Sequence, residues 1–313
     1  MLVGHQKQWQ FLKKSAENEK IPHALLFSGE AQLGKKTLAL EFIKLLDCEI
    51  PEITKRPCQI CRSCQDIQKK QHPDLIWIEP LEKEIQISQI RELIWKLSLR
   101  PYSAPFKAAV IDRAHFMNQE AQSAFLKTLE EPKGKTILIL VTEAPEFLFP
   151  TILSRVQKIK FYPVSSAEIE NYLKTQKISN PKIKEIARLS MGRPGKAIDF
   201  ISDPKKLEIR AQKITYLIKI LNSPLAFRFQ SAKDLSREKN LREILNIWLS
   251  YFREVLLSRL GQGSVEMTKT GNFNQYSLLK LKNILKLLQS TNFLISTTNV
   301  NPRLALEILM LEL

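Results

Sequence analysis

Four cysteines, Cys48, Cys58, Cys61 and Cys64, fall within 17 residues and account for every cysteine in the chain. Two overlapping Cys-x-x-Cys steps let thiolates converge on one tetrahedral ion from a tight loop, the spacing of a structural zinc site. With four thiolates no coordination position stays open, so such a centre holds structure and does no catalysis. Lys55, Arg56 and Arg62 stand close in sequence to offset its net negative charge. The competing reading is a redox pair or unliganded buried thiols; against it, no cysteine is left over.

A second set of residues is arranged for an anion. Gly29-Glu30-Ala31-Gln32-Leu33-Gly34-Lys35-Lys36-Thr37 follows an apolar run and opens a helical pattern. A glycine-framed loop at a helix start points backbone N–H groups at phosphate, and a lysine in the Lys35 position reaches the outer phosphates. The next position ordinarily carries a Ser or Thr hydroxyl for Mg²⁺, but here it is Lys36, whose ammonium has no lone pair to offer a metal. Thr37 comes one residue late, about 100° further round the helix. The acid expected at the end of a buried strand is present as Asp112, yet Arg113 stands where a water-orienting glutamate usually follows. A guanidinium does not deprotonate at neutral pH and cannot serve as that base. Two cations replace two parts of a hydrolytic apparatus, which argues against an active ATPase. The loop reads either as a vestigial nucleotide site built on Gly29, Gly34, Lys35, Thr37 and Asp112, with ATP binding itself in question, or as a glycine turn with no ligand.

Positioning these residues requires strands and helices in alternation. Apolar runs at residues 24–28, 75–78, 108–111, 137–142 and 158–162 predict strands, and residues 35–46, 88–99 and 119–130 predict helices, the last capped by Asn118 and stopped before Pro132. Continuous apolar strands between helices predict an α/β fold with a parallel sheet covered on both faces. From about Val164 the strand signals cease, and a short helical stretch carries the turn Gly192-Arg193-Pro194-Gly195. Beyond it only helices are expected. Leu241, Leu245, Trp248, Phe252, Val255 and Arg259 recur at three- and four-residue spacing in one apolar stripe, residues 278–288 make another helix, and 261–274 a loop. The expected organisation is an α/β domain over 1–165 with the cysteine module at 48–64, a small helical domain over 166–205, and a helical C-terminal domain over 206–313.

The composition agrees with a globular chain of two to three domains: of 313 residues, 44% are apolar and 26% charged, which excludes disordered and fibrous classes. Lys plus Arg number 48 against 32 Asp plus Glu, a formal charge of +16 that suits a polyanionic partner, although a basic proteome background gives the same excess. No apolar run approaches the roughly 18 residues of a membrane span, and no basic region followed by an apolar core opens the chain. No membrane contact and a cytoplasmic location are therefore expected, where clustered cysteines are more often metal ligands than disulfides.

Taken in order, the motifs resemble the delta-prime subunits of bacterial DNA polymerase III clamp loaders, a branch of the AAA+ superfamily. The resemblance rests on Pro22-His23-Ala24-Leu25-Leu26-Phe27-Ser28-Gly29, the cysteine module after the loop helix, His72-Pro73-Asp74, the segment Ala121-Gln122-Ser123-Ala124-Phe125-Leu126-Lys127-Thr128-Leu129-Glu130-Glu131-Pro132, and Pro150-Thr151-Ile152-Leu153-Ser154-Arg155. It covers about the first 200 residues, and Asn299-Val300-Asn301-Pro302-Arg303-Leu304-Ala305-Leu306-Glu307 is similar to the family's closing collar helix. It implies an AAA+ parallel-sheet P-loop domain with an inserted zinc module, a small helical lid domain and an all-α C-terminal collar domain. It also implies that Ser154 and Arg155 fall on the family's Ser-Arg-Cys motif, whose arginine reaches a neighbouring subunit's ATP; from the residues alone Arg155 reads equally as a surface or salt-bridging residue. Val156 stands where the family has cysteine, which leaves the arginine's chemistry intact. Thr142 matches the position that senses the γ-phosphate, with a strand-capping threonine as the plain alternative, and Gly195 falls where active relatives place a nucleotide-touching arginine, with Arg193 or Lys196 as possible substitutes. The implied role is a non-hydrolysing subunit of the polymerase holoenzyme that works beside motor (gamma/tau) and delta subunits and meets the sliding clamp and primed DNA through the complex. Two alternatives stand beside it: an ATP-hydrolysing motor subunit, which Lys36 and Arg113 oppose, and a stand-alone zinc-containing nucleic-acid-binding protein, opposed by the lack of any aromatic residue between Cys48 and Cys64.

Overall fold

In β1 (Ala24–Ser28), Leu25 and Phe27 face one layer of helices while Ala24 and Leu26 face the other, and β3 (Lys107–Ile111) and β4 (Thr136–Thr142) alternate in the same way. Both faces are apolar, so these strands read as unbroken hydrophobic runs and lie at the centre of the sheet. With β2 (Leu75–Ile78) and β5 (Gln157–Lys160) they form one parallel sheet of order β2-β3-β4-β1-β5. The computed structural model describes residues 2–313 except 82, 133, 177–179, 239, 262–275 and 298–299. Apart from Gly261, the loop expected at 261–274 thus lies outside the described residues, as does Asn299.

The helices are α1 (Gln6–Glu17), α2 (Lys35–Asp47), α3 (Arg62–Gln68), α4 (Ile87–Ser98), α5 (Gln119–Glu130), α6 (Pro150–Leu153), α7 (Ser166–Lys174), α8 (Asn180–Ser190), α9 (Pro194–Ser202), α10 (Lys205–Leu221), α11 (Leu225–Leu235), α12 (Leu241–Arg259), α13 (Leu278–Thr297) and α14 (Pro302–Glu312). Helices α1 to α3 cover one face of the sheet and α4 to α6 the other. The Asn118 side chain accepts the N–H of Ala121 and caps α5. β5 starts one residue before the apolar run expected there and ends two before it, because on this edge strand only Ile159 points inward.

The chain divides into two compact units, Met1–Ile201 and Ser202–Leu313, with α7 to α9 clustering with the sheet domain. In the second unit, Leu241, Leu245, Trp248, Phe252 and Val255 of α12 are buried in one core with α10, α13 and α14. The apolar stripe of α12 is thus consumed within the chain's own core. The indole N–H of Trp248 donates to the carbonyl of Lys213 at 3.3 Å. On α14, Leu306, Leu309 and Met310 face inward, whereas Leu304, Ile308 and Leu311 are each more than half exposed. Among the described residues no helix is long and apolar enough to cross a membrane.

The His72-Pro73-Asp74 motif closes the connection between α4 and β3. Asp74, 1% exposed, accepts the backbone N–H groups of Tyr102, Ser103 and Ala104 at 2.7, 2.9 and 3.0 Å. Burial alone would raise its pKa, but the three donors outweigh it and hold the carboxyl below its ordinary range. Asp74→Ala should cost about 3 kcal/mol at neutral pH, since three backbone N–H groups lose a charged acceptor. Because the folded pKa lies below the unfolded one, that stability is present at neutral pH and lost as pH falls through the folded value. Urea denaturation of both proteins should therefore show a gap at pH 7 that narrows in acid; a gap independent of pH would contradict the assignment.

Candidate functional site

The carboxyl ends of β1, β3 and β4 meet at one edge of the sheet, where ligands of open α/β sheets bind. Gly29 leaves β1 with φ +147° and donates its N–H to the Thr142 carbonyl at 3.3 Å. A Cβ at Gly29 would stand 2.5 Å from the carbonyl oxygen of Phe161, so only glycine fits this start of the loop. Gly34 is the N-cap of α2. Lys35, 5% exposed, curls back so that its ammonium donates to the carbonyls of Gly29 and Glu30. Burial lowers its pKa to about 8, only partly offset by Glu143, Asp112 and Glu30. Thr37 is exposed on the first turn of α2.

The start of α9 closes onto this loop. The Gly195 N–H donates to the Gln32 carbonyl at 2.9 Å, the Gln32 side chain donates to Asp199 at 2.6 Å, and Arg193 lies 3.5 Å from Glu30. A Cβ on Gly195 would meet Gln32 Cβ at 2.9 Å and its carbonyl oxygen at 3.0 Å. The position where active relatives carry an arginine is therefore taken up by backbone contact. Arg193 reaches the loop through Glu30, and the Lys196 ammonium lies 5.7 Å from the ring of Phe200.

Asp112 is fully buried at the end of β3, and the Lys36 ammonium forms an ion pair with its Oδ2, with Arg113 Nε 3.9 Å from the same oxygen. A divalent ion does not fit here: an ammonium already meets the carboxylate, and the hydroxyl that would share the ion is missing. Arg113 adopts a left-handed conformation, φ +50°, where the base would stand. The Thr142 hydroxyl accepts the Ala144 N–H at 3.1 Å and lies 3.0 Å from Nδ1 of His115. Sequence reasoning missed His115, a single histidine beyond a strand with no spacing to mark it. Burial, with Lys35 and Arg113 acting the same way against Glu143 and Asp112, keeps its pKa below the ordinary histidine value.

Ser154 and Arg155 lie at the other end of the sheet. They follow α6, a single turn opened by Pro150, and precede β5, whose Gln157 pairs in parallel with Leu25 near the start of β1 while Lys160 pairs with Ser28 at its end. Buried Ile152 and Val156 pin the turn on either side, so Val156 does as core packing what a cysteine of similar size would do. The Arg155 guanidinium points out. It is ion-paired with Glu130 of α5 at 2.8 Å and donates to the Thr151 carbonyl at 3.0 Å and to Ser154 Oγ at 3.3 Å. Gln122 braces the approach: its amide donates to the carbonyls of Met117 and Phe147, both at 3.1 Å, and accepts the Phe149 N–H at 2.8 Å.

The sulfurs of Cys48, Cys58, Cys61 and Cys64 all lie within 4.8 Å of one another. A tetrahedral ion with metal–sulfur bonds of about 2.3 Å sets its sulfurs about 3.8 Å apart, so the donor set and its size fit a closed four-thiolate centre. The N–H of Cys61 points at Cys58 Sγ and that of Cys64 at Cys61 Sγ, at 3.3 and 3.4 Å. Backbone donors from Cys61 and Ile60 bring the Cys58 thiol down to about 6, whereas burial pushes the Cys64 thiol up. The nearby cations have other partners as well: Lys55 pairs with Glu52, Arg62 lies 3.6 Å from Asp66, and Arg56 donates to the carbonyls of Leu46, Ile50 and Pro51. Beneath the thiols, buried Lys44 bonds Glu41, Gln59 and Gln68 and ties the module to α2, an anchor that sequence reasoning did not find.

A parallel five-stranded sheet of this order, with a glycine-framed loop after β1, an acid after β3 and a four-cysteine module inserted after α2, defines an AAA+ protein of the P-loop class. Residues 4–165 match the family described as DNA polymerase III, delta subunit. The DNA polymerase III subunit delta' of Bacillus subtilis is 31% identical over 257 residues, which span 80% of this chain and 77% of that one. The subunit delta' of Pseudomonas aeruginosa is 34% identical over 209 residues, 65% of this chain and 63% of the other. The subunit gamma of a Buchnera aphidicola strain is 38% identical over 155 residues, 50% of this chain and 42% of the relative. The chain belongs to the DNA polymerase III delta' family.

Proposed function

We propose that this protein is a cytoplasmic, non-hydrolysing subunit of a DNA polymerase III clamp loader that presents Arg155 to the ATP of a neighbouring motor subunit. The observation that carries this reading is the register of β5. Arg155 stands at the amino ends of the strands and the phosphate loop at their carboxyl ends, separated by at least three residues of extended strand, about 10 Å. An arginine so placed cannot serve its own loop and is free to serve another chain's. Its planar, permanently charged guanidinium suits the charge that develops on a transferring phosphoryl group. Lys36 on Asp112 and Arg113 at the base position support the absence of turnover in this chain's own pocket.

Motor (gamma/tau) and delta subunits are the proposed partners, and the exposed Leu304, Ile308 and Leu311 on α14 offer an apolar face for a shared collar. Sliding clamp and primed DNA would be reached through the assembled complex, where the +16 charge favours phosphate contacts. The four thiolates would hold one structural Zn²⁺.

The test combines an ATPase assay on the purified chain with co-purification. The chain alone should release no phosphate from ATP with Mg²⁺ and should co-purify with the motor and delta subunits, with Ile308→Asp lost from that complex. Turnover comparable with a motor subunit, or failure of the wild-type chain to assemble, would overturn the proposal.

A further inference from the structure

In a P-loop site the divalent ion is shared between a Ser or Thr hydroxyl on the loop helix and an acid on a neighbouring strand, and it offsets the charge of the outer phosphates. Both protein positions are occupied here, but by groups that satisfy each other. Lys36 takes the hydroxyl's place, and its ammonium lies on Oδ2 of Asp112. The Asp112 side chain is sealed from solvent, and Arg113 brings a second cation within 3.9 Å of the same oxygen. For Mg²⁺ to reach that carboxylate it must displace one cation beside another, with no hydroxyl to complete its shell.

The anion side of the site has not been dismantled in the same way. Lys35 is 5% exposed, and its ammonium is held by the neutral carbonyls of Gly29 and Glu30; among the described residues no carboxylate lies within ion-pair distance of it. A buried ammonium without a counter-anion is costly, and an incoming phosphate supplies one. The leading N–H groups of α2, a 13-residue helix opened by Gly34, have no intrahelical acceptors and no side-chain cap. The lowered pKa of Lys35 follows from the same burial.

We propose that Lys36 is a built-in counter-cation that takes the divalent ion's place on Asp112, so that the loop binds a nucleoside di- or triphosphate in its metal-free form. This rests on the reading of the pocket as non-hydrolysing and adds to it a ligand form: the free polyphosphate, more anionic than its magnesium complex, meets Lys35 and Lys36 without a third cation between them.

Calorimetric titration of the full chain with ATP, once in EDTA and once in excess Mg²⁺, tests this. Binding in EDTA should be at least as tight as in Mg²⁺, and Lys35→Ala should remove it in both. Lys36→Thr restores a hydroxyl and frees Asp112, so Mg²⁺ should then tighten ATP binding about tenfold or more. Wild-type binding that requires Mg²⁺, or no binding in EDTA up to about 1 mM ATP, a binding free energy weaker than roughly −4 kcal/mol, overturns the proposal. If Lys36→Thr does not fold, the two wild-type titrations decide alone. Phosphate release from ATP in Mg²⁺ would instead sink the non-hydrolysing reading, so the two failures are read by different signals.

Discussion

Replacing Arg155 with alanine should lower the DNA-stimulated ATPase of a reconstituted loader while leaving its assembly intact. At the single site the proposal assigns to this arginine, the loss should be about 10³-fold, the low end of what such an arginine contributes to phosphoryl transfer. Bulk activity should fall less, because the change touches only one of the sites in the proposed complex. Assembly should survive because Ile152 and Val156, not the guanidinium, hold the turn in place. The ion pair with Glu130 does not stand against this role. Its partners are 37% and 50% exposed in their side chains, and such surface pairs contribute about 0–1 kcal/mol. Arg155 can therefore leave Glu130 for a triphosphate at little cost, and until then the carboxylate and the Thr151 carbonyl hold it extended. Arg155→Lys should rescue little, since an ammonium keeps the charge but loses the planar fork. Wild-type ATPase and clamp loading in the alanine variant would reject the assignment.

What the sequence made legible depended on how locally each feature is written. β1 and β2 match their expected runs to the residue because buried parallel strands are uninterrupted apolar runs with polar or glycine residues at their ends, and α5 does so because Asn118 and Pro132 mark its ends. β3 and β4 each begin one residue earlier than expected, with Lys107 and Thr136, since a polar residue can extend a ladder through its backbone. The stripe on α12 was equally plain, but periodicity says that a face is buried and not against what; here α10, α13 and α14 cover it, and the face left open belongs to α14. The parts of the site that escaped notice are all long-range. The type of Lys36 alone marks it as wrong for a metal, but only folding brings it to Asp112, 76 residues on. Glu130, His115 and the Gly195–Gln32 contact likewise depend on elements meeting in space.

The cysteine module carries the other large effect. Freshly purified protein that has not met a chelator should contain one zinc per chain, and removing it, or making Cys64→Ser, should unfold residues 48–64. Structural zinc contributes an apparent 10–16 kcal/mol or so in small zinc domains, as much as the whole stability of a typical fold. Here the loss should be smaller, because the sheet keeps its own core, but it should not be confined to the loop. Cys64 sits on α3, whose Ile67 is fully buried against the sheet, and Gln59 in the module and Gln68 at the end of α3 satisfy buried Lys44 on α2. Freeing the module uncovers that lysine and part of that core. A loss of about 4 kcal/mol would lower the thermal midpoint by roughly 8–16 °C. Arg62→Ala, a change at a side chain 91% exposed on the same segment, should leave the midpoint nearly unmoved. The redox alternative predicts the reverse: a metal-free protein whose midpoint shifts with dithiothreitol and not with a chelator. Well under one zinc per chain, together with that reductant dependence, would transfer the cysteines from structure to redox chemistry, and the module's hold on α2 would then have to come from Lys44 and Ile67 alone.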